Sequence, residues 1–381
     1  MFFGFPAEKT RHPRNYSIQI RNPEFIYDLK TNSQGLRYRE VSLRKPGLQF
    51  RMLVLGDSFT EGFGVGMNQA FPAVLERLAS AGGSGVEFIN AGISTFNVAD
   101  YRRLLLDLGL SYEQDGVLIG VYKNDLSGRG SGAKHRWKIL HKLWPRTYTA
   151  LEERYRYIRW ASADRPASRS LDFVLEEARK NGIPEKRISS WLEFLRQQTL
   201  VDFEDALLIA PQYYKRALLN PTYFVDNMDI RTEKAHAKWV TLINDLKGII
   251  EYCRENRLWV GVVYLPSYVQ YDHNAVAFWR RAGFDVPDKW LTEEPEIARR
   301  LSAWSQARKV PFLSLTDAFQ KAPKDTPYKY NWPADGHWNA AGHEVAALSI
   351  YRWLSQIGVV RGADKPLRPF EDRQHTASRV Q

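Results

Sequence analysis

Ser58 lies in the segment Gly56-Asp57-Ser58-Phe59-Thr60, directly after the apolar run Met52-Leu-Val-Leu-Gly56. A serine hydroxyl attacks only when a base removes its proton, and an imidazole near neutral pH is suited to that task. His337 stands in Pro333-Ala-Asp335-Gly-His337-Trp338-Asn339, with Asp335 placed to fix its tautomer. Gly92, in Asn90-Ala-Gly92-Ile-Ser, lets its backbone N–H approach a ligand with no side chain in the way. Asn124, in Tyr122-Lys123-Asn124-Asp125, carries an amide that can donate to an oxyanion without adding charge. Together these types permit acyl transfer through a serine.

Taken singly, each segment also has a plain reading. A serine after a strand suits a helix cap, Gly92 a turn, and Asn-Asp a turn pair. His337 suits a satisfied residue at a helix start, and His343, inside the last helix, suits packing or solvent. What ties the four together is their placement. Met52–Gly56, Val86–Ala91, Gly116–Tyr122, Leu258–Leu265 and Val310–Leu315 read as five strands. Helices are predicted at 68–79, 98–108, 237–256 and 340–357. Strands alternating with amphipathic helices imply a parallel sheet covered on both faces, with the ligand crevice beyond the carboxyl ends. Serine follows the first strand, glycine the second, asparagine the third, and Asp-x-His the fifth. All four converge on one crevice.

Over a hundred residues separate the third and fourth strands, more than one crossover needs. Residues 127–234 are read as a mostly helical insertion. From Arg129 to Trp160 it holds nine Lys/Arg and two acids, interleaved with Trp137, Trp144, Tyr148, Tyr155, Tyr157 and Trp160. That pattern suits an anionic polymer or a membrane surface, and equally a solvated basic helix whose rings pack inward. The whole chain carries a formal +11, which favours acidic partners or simply solubility. Residues 1–48 read as an N-terminal extension in which Tyr16–Arg21 could pair at a sheet edge. Residues 359–381 read as a disordered tail.

One cysteine, Cys253, excludes an internal disulfide and a multi-thiolate metal site, and its apolar setting suits a buried thiol. The start, Met1-Phe-Phe-Gly-Phe-Pro6, is too short for a secretion signal, and no run reaches the roughly 20 apolar residues of a membrane span. The chain as given reads as soluble, cytoplasmic, or exported if an upstream leader is missing.

The four blocks resemble those of the SGNH, or GDSL, hydrolase superfamily: Gly56-Asp57-Ser58-Phe59, Gly92, Asn124-Asp125 and Asp335-Gly-His337. The lead-in Thr31-Asn-Ser-Gln-Gly-Leu-Arg37 and the run Gly56-Asp-Ser-Phe-Thr-Glu-Gly-Phe-Gly-Val65 are similar to bacterial members. The resemblance covers 30–125 and 235–357. It implies a flavodoxin-like, three-layer α/β/α fold around a parallel sheet, formed by 49–126 and 235–358. It also implies an esterase mechanism in which Ser58 attacks and His337 is the base. The oxyanion is then held by the amides of Ser58 and Gly92 and by the Asn124 side chain. Two departures stand out. The family commonly spaces its acid three before the histidine, where Asp335 is two before; and it usually has glycine where this chain has Tyr122.

The implied activity is an esterase acting on acyl groups, O-acetyl groups on carbohydrate or lipid esters among them, with no metal or organic cofactor. A sugar O-acyltransferase of the same fold is the nearest alternative. A phosphate- or flavin-binding module lacks the Gly-Lys-Ser/Thr of a nucleotide loop and leaves Asp335 and His337 without a task. A catalytically dead binding protein would have no reason to keep all four residue types. Nucleic-acid binding has only net charge behind it.

Overall fold

The computed structural model describes residues 11–22, 24–45, 47, 49–126, 167–197, 216–230 and 233–360. Five parallel strands form its centre: β3 (Phe50–Gly56), β4 (Val86–Gly92), β5 (Gly116–Val121), β6 (Trp259–Tyr264) and β7 (Phe312–Ser314). In space they run β4-β3-β5-β6-β7. By order of appearance that is 2-1-3-4-5, the flavodoxin-like arrangement, whose crevice opens where the order reverses beside the first strand. The predicted fold class is therefore the observed one.

The continuous apolar run of β3 follows from burial on both faces. Met52 and Val54 enter one core with Val74 and Leu75 of α2 (Phe71–Ala81). Ala346 and Ile350 of α11 (Ala340–Gln356) join them. Leu53 and Leu55 face the other way, against Tyr101 and Leu105 of α3 (Val98–Leu108) and Leu246 and Ile249 of α7 (Glu233–Glu255). Cys253, in α7, is buried on that side, and burial pushes its thiol up to about 12.

Helix α3 begins where predicted because Asn97 and Asp100 cap each other reciprocally, side chain to amide at 3.3 and 3.2 Å. The helix expected at 68–79 differs. A 3₁₀ turn at Met67–Gln69 comes first, and α2 starts at Phe71 with Pro72 in its first turn, where a missing N–H is harmless.

The run at Tyr16–Arg21 does not join the main sheet. It forms β1 (Ser17–Asn22), paired antiparallel with β2 (Phe25–Lys30) as a separate two-stranded sheet. Alternation gives β2 one apolar face, Phe25, Tyr27 and Leu29, which packs with Phe63 and Trp332. In the predicted insertion, α4 (Ala167–Lys180) and α5 (Glu185–Gln197) enclose a small core of Val174, Ala178, Ile188 and Trp191. The basic, aromatic stretch 129–160, the start at 1–10 and the tail 361–381 lie outside the described residues. Among the described residues, no helix is long and apolar enough to cross a membrane.

Candidate active site

Strand β3 ends at Gly56, in register with Gly92 of β4 and two strands from β6. This pairing sets the turns after β3, β4 and β5 side by side at one end of the sheet. Ser58 opens α1 (Ser58–Glu61), a single turn capped by Asp57, whose carboxylate accepts from the Phe59 amide at 3.0 Å. The hydroxyl of Ser58 meets His337 Nε2 at 2.7 Å. The other ring nitrogen, Nδ1, lies 2.5 Å from Asp335 Oδ1. The three residues thus form one hydrogen-bonded line across 279 residues of sequence.

The unusual Asp-x-His spacing has a local explanation. Gly336 between them sits at φ +84°, a left-handed conformation open to glycine, which curls the chain back on itself. Asp335 Oδ1 then reaches both Nδ1 and the His337 amide, the latter at 3.3 Å. Burial alone would raise the Asp335 carboxyl; the adjoining His337 ring and amide outweigh it and hold the group below its ordinary value. The rings of Phe59 and Phe63 both pack on the imidazole, each with its centroid 4.8 Å away.

Asn124 follows β5, as predicted, and its Nδ2 donates to Asp57 Oδ2 at 2.8 Å. An amide nitrogen has two hydrogens, so one remains to face a second acceptor. Asp57 is fully buried, and burial, tempered by Asn124 and the Phe59 amide, raises its carboxyl to about 6. The GDS-type aspartate is therefore a cap and a tether for Asn124.

Gly92 does not fit its expected role. Its N–H donates to Asn90 Oδ1 at 2.9 Å and is already engaged. The lack of a side chain serves packing instead: a Cβ there would lie 2.3 Å from the Glu61 nitrogen and 2.6 Å from the Thr60 carbonyl carbon. Nor is a long helix aimed at Ser58. Helix α1 has four residues, so local amides rather than a macrodipole supply any positive field.

Several residues around the site were not singled out from sequence. Buried Arg37, the end of the lead-in motif, donates to the carbonyls of Glu61 at 2.9 Å and of Gly62 and Val65 at 2.6 Å each. It thereby holds the turn that carries Ser58, and the motif itself was the available signal. Glu61 pairs with His12 and accepts from both the hydroxyl and the amide of Ser94, joining α1 to the segment after β4. Glu24, between β1 and β2, accepts from the amides of Ala334 and Asp335 at 3.0 and 2.7 Å. No sequence signal marks that contact. His343 is buried, and its Nδ1 accepts from the Phe71 amide at 3.2 Å, which assigns it to packing. Among the described residues, no cluster of His, Cys, Asp and Glu could hold a metal.

The GDSL-like Lipase/Acylhydrolase family matches residues 54–345. Among solved structures, a GDSL-like lipase from Bacteroides thetaiotaomicron VPI-5482 is 12% identical, covering 81% of this chain and 88% of its own, with a TM-score of 0.35. A mutant of an acetyl-xylooligosaccharide esterase from Geobacillus stearmophilus is 15% identical, covering 83% and 97%, with a TM-score of 0.39. No curated protein matches the sequence.

Proposed function

Since the chain belongs to the GDSL-like lipase/acylhydrolase family and is a serine hydrolase acting on esters, we propose that it deacylates O-acyl, and in particular O-acetyl, groups on carbohydrate through an acyl-enzyme on Ser58. The observation that carries the mechanism is the continuous line from Ser58 Oγ through His337 to Asp335.

In this reading His337 Nε2 takes the Ser58 proton as Oγ attacks the ester carbonyl. Asp335 keeps the remaining N–H on Nδ1 and favours the imidazolium that forms. The oxyanion meets the free hydrogen of Asn124 Nδ2 and the Ser58 amide; each such donor is worth about 3 kcal/mol of transition-state stabilisation. Collapse of the tetrahedral intermediate expels the alcohol, protonated by His337. Water, deprotonated by the same imidazole, then releases the acid and restores Ser58. Residues 49–126 and 235–358 are read as the unit that performs this chemistry, and 127–234 as an excursion from it.

The deciding experiment is labelling with a fluorophosphonate probe and mapping of the modified peptide by mass spectrometry. A label on Ser58 that disappears in His337→Ala is expected. A protein that stays unlabelled and leaves a small acetyl ester intact would overturn the esterase reading.

A further inference from the structure

Lys123 directly precedes Asn124 and plays no part in the chemistry above. Its Nζ donates to Ser267 Oγ at 3.1 Å and lies 4.5 Å over the Phe224 ring and 5.5 Å from that of Tyr122. Ser267 is wholly buried, and Tyr122 also donates to it at 3.4 Å. The Tyr122 ring packs on Phe59 at 4.2 Å, and Phe59 packs on His337. The rings of Tyr122 and Phe59 thus lie between the ammonium group and the proposed base.

A half-buried lysine usually snorkels to water or pairs with a carboxylate. Lys123 does neither. Among the described residues no carboxylate pairs with it, and the charge that faces it is that of Arg216, another cation. Burial and Arg216 together pull the ammonium down to about 7. A hydroxyl and two ring faces compensate a desolvated cation only in part. An anionic group would complete that compensation. Phe224 in turn packs on Phe284 at 5.3 Å, which fixes the ring beneath the ammonium.

We propose that Lys123 selects substrates whose sugar carries a negative charge, so that the esters taken by this site are acylated anionic sugars, their carboxylate or phosphate seated on the Lys123 ammonium. This inference rests on the esterase reading of Ser58 and adds the substrate's charge to it.

The test uses the full-length protein and three acetyl esters: of a methyl glucuronoside, of a methyl glucoside 6-phosphate, and of the neutral methyl glucoside. An anionic ester is expected to exceed the neutral one by about tenfold or more in kcat/KM. Which of the two leads separates carboxylate from phosphate recognition. Lys123→Gln should bring the ratio towards one, while Lys123→Arg should keep a clear preference. Equal kcat/KM for all three in the wild type, or a Lys123→Gln variant that slows all three alike, overturns the proposal. A fluorophosphonate label on Ser58 alongside equal rates removes this inference alone. If neither label nor hydrolysis occurs, the esterase reading falls, and calorimetry decides the anion site by itself. Glucuronoside bound more tightly than glucoside, with the difference lost in Lys123→Gln, upholds it; equal binding removes it.

Discussion

Glu24 holds Asp335 by the backbone: its Oε2 accepts from the Asp335 amide at 2.7 Å, and its Oε1 from the Ala334 amide at 3.0 Å. The acid of the proposed triad is therefore oriented by a residue of the N-terminal hairpin, 311 positions away. Phe25 strengthens the same junction, packing on Trp332 at 5.3 Å and on Phe63 at 5.5 Å.

Glu24→Ala should leave two amides without acceptors, a loss of roughly 1–3 kcal/mol per group where water cannot replace it. Glu24 acts by positioning, so kcat should fall about tenfold with little change in KM, and Glu24→Gln should recover part of it. Steady-state kinetics on a small acetyl ester checks this; an unchanged kcat in Glu24→Ala would show that the loop holds its shape unaided.

His337→Ala removes the base and should lower kcat by about 10²–10⁴-fold. Asp335→Asn should cost less, because Phe59 and Phe63 also pack on the ring. Labelling rates with the fluorophosphonate probe would rank the two. Equal losses would mean that the carboxylate is as necessary as the imidazole.

Gly92→Ala forces a methyl group against the backbone of Thr60 and Glu61. Overpacking of that kind destabilises by roughly 1–3 kcal/mol and should disturb the Ser58 turn. Gly85→Ala is the control, since the nearest atom to its added Cβ is 4.0 Å away. Thermal melts of the two variants should separate clearly; coincident melts would mean that α1 yields easily.

His343 gives stability an acid limb. Burial, with Arg37 and His337 nearby, lowers its pKa from 6.5 to about 3. Between those values the unfolded chain binds a proton that the folded one does not. Stability should therefore fall as pH drops from about 6.5 towards 3, by up to about 1.4 kcal/mol per pH unit from this group. Urea midpoints at pH 7 and pH 5 measure the effect. His343→Gln should narrow the gap between them, and a gap of the same size would assign the acid sensitivity elsewhere.

Much of this architecture could be read in the sequence because burial imposes simple patterns. Met52–Gly56 is continuously apolar since both faces of β3 are covered, and Asn97 and Asp100 announce α3 by their spacing. Ser58, Asn124, Asp335 and His337 stood out because each follows a strand or precedes a helix. What escaped depends on contacts between distant segments. Glu24 has no local pattern, since its partners are more than 300 residues away. The amide of Gly92 is taken up by a side chain two residues earlier, a choice that depends on how Asn90 rotates rather than on residue type.

The long excursion between β5 and β6 bears on the order of assembly. β5 and β6 are neighbours, with Gly116 opposite Trp259 and Val121 opposite Tyr264, yet the chain between them is several times longer than the links joining β3, β4 and β5. Closing it costs roughly 1–2 kcal/mol more in chain entropy than closing one of the short links. The β4-β3-β5 half can therefore condense from near neighbours, whereas β6 and β7 must be recruited across the excursion. In pulsed hydrogen exchange during refolding, β3–β5 amides should gain protection before those of β6. Because His337 follows β7, Ser58 and Asn124 would be in place before their base arrives, so the reactive centre switches on as the last step of folding.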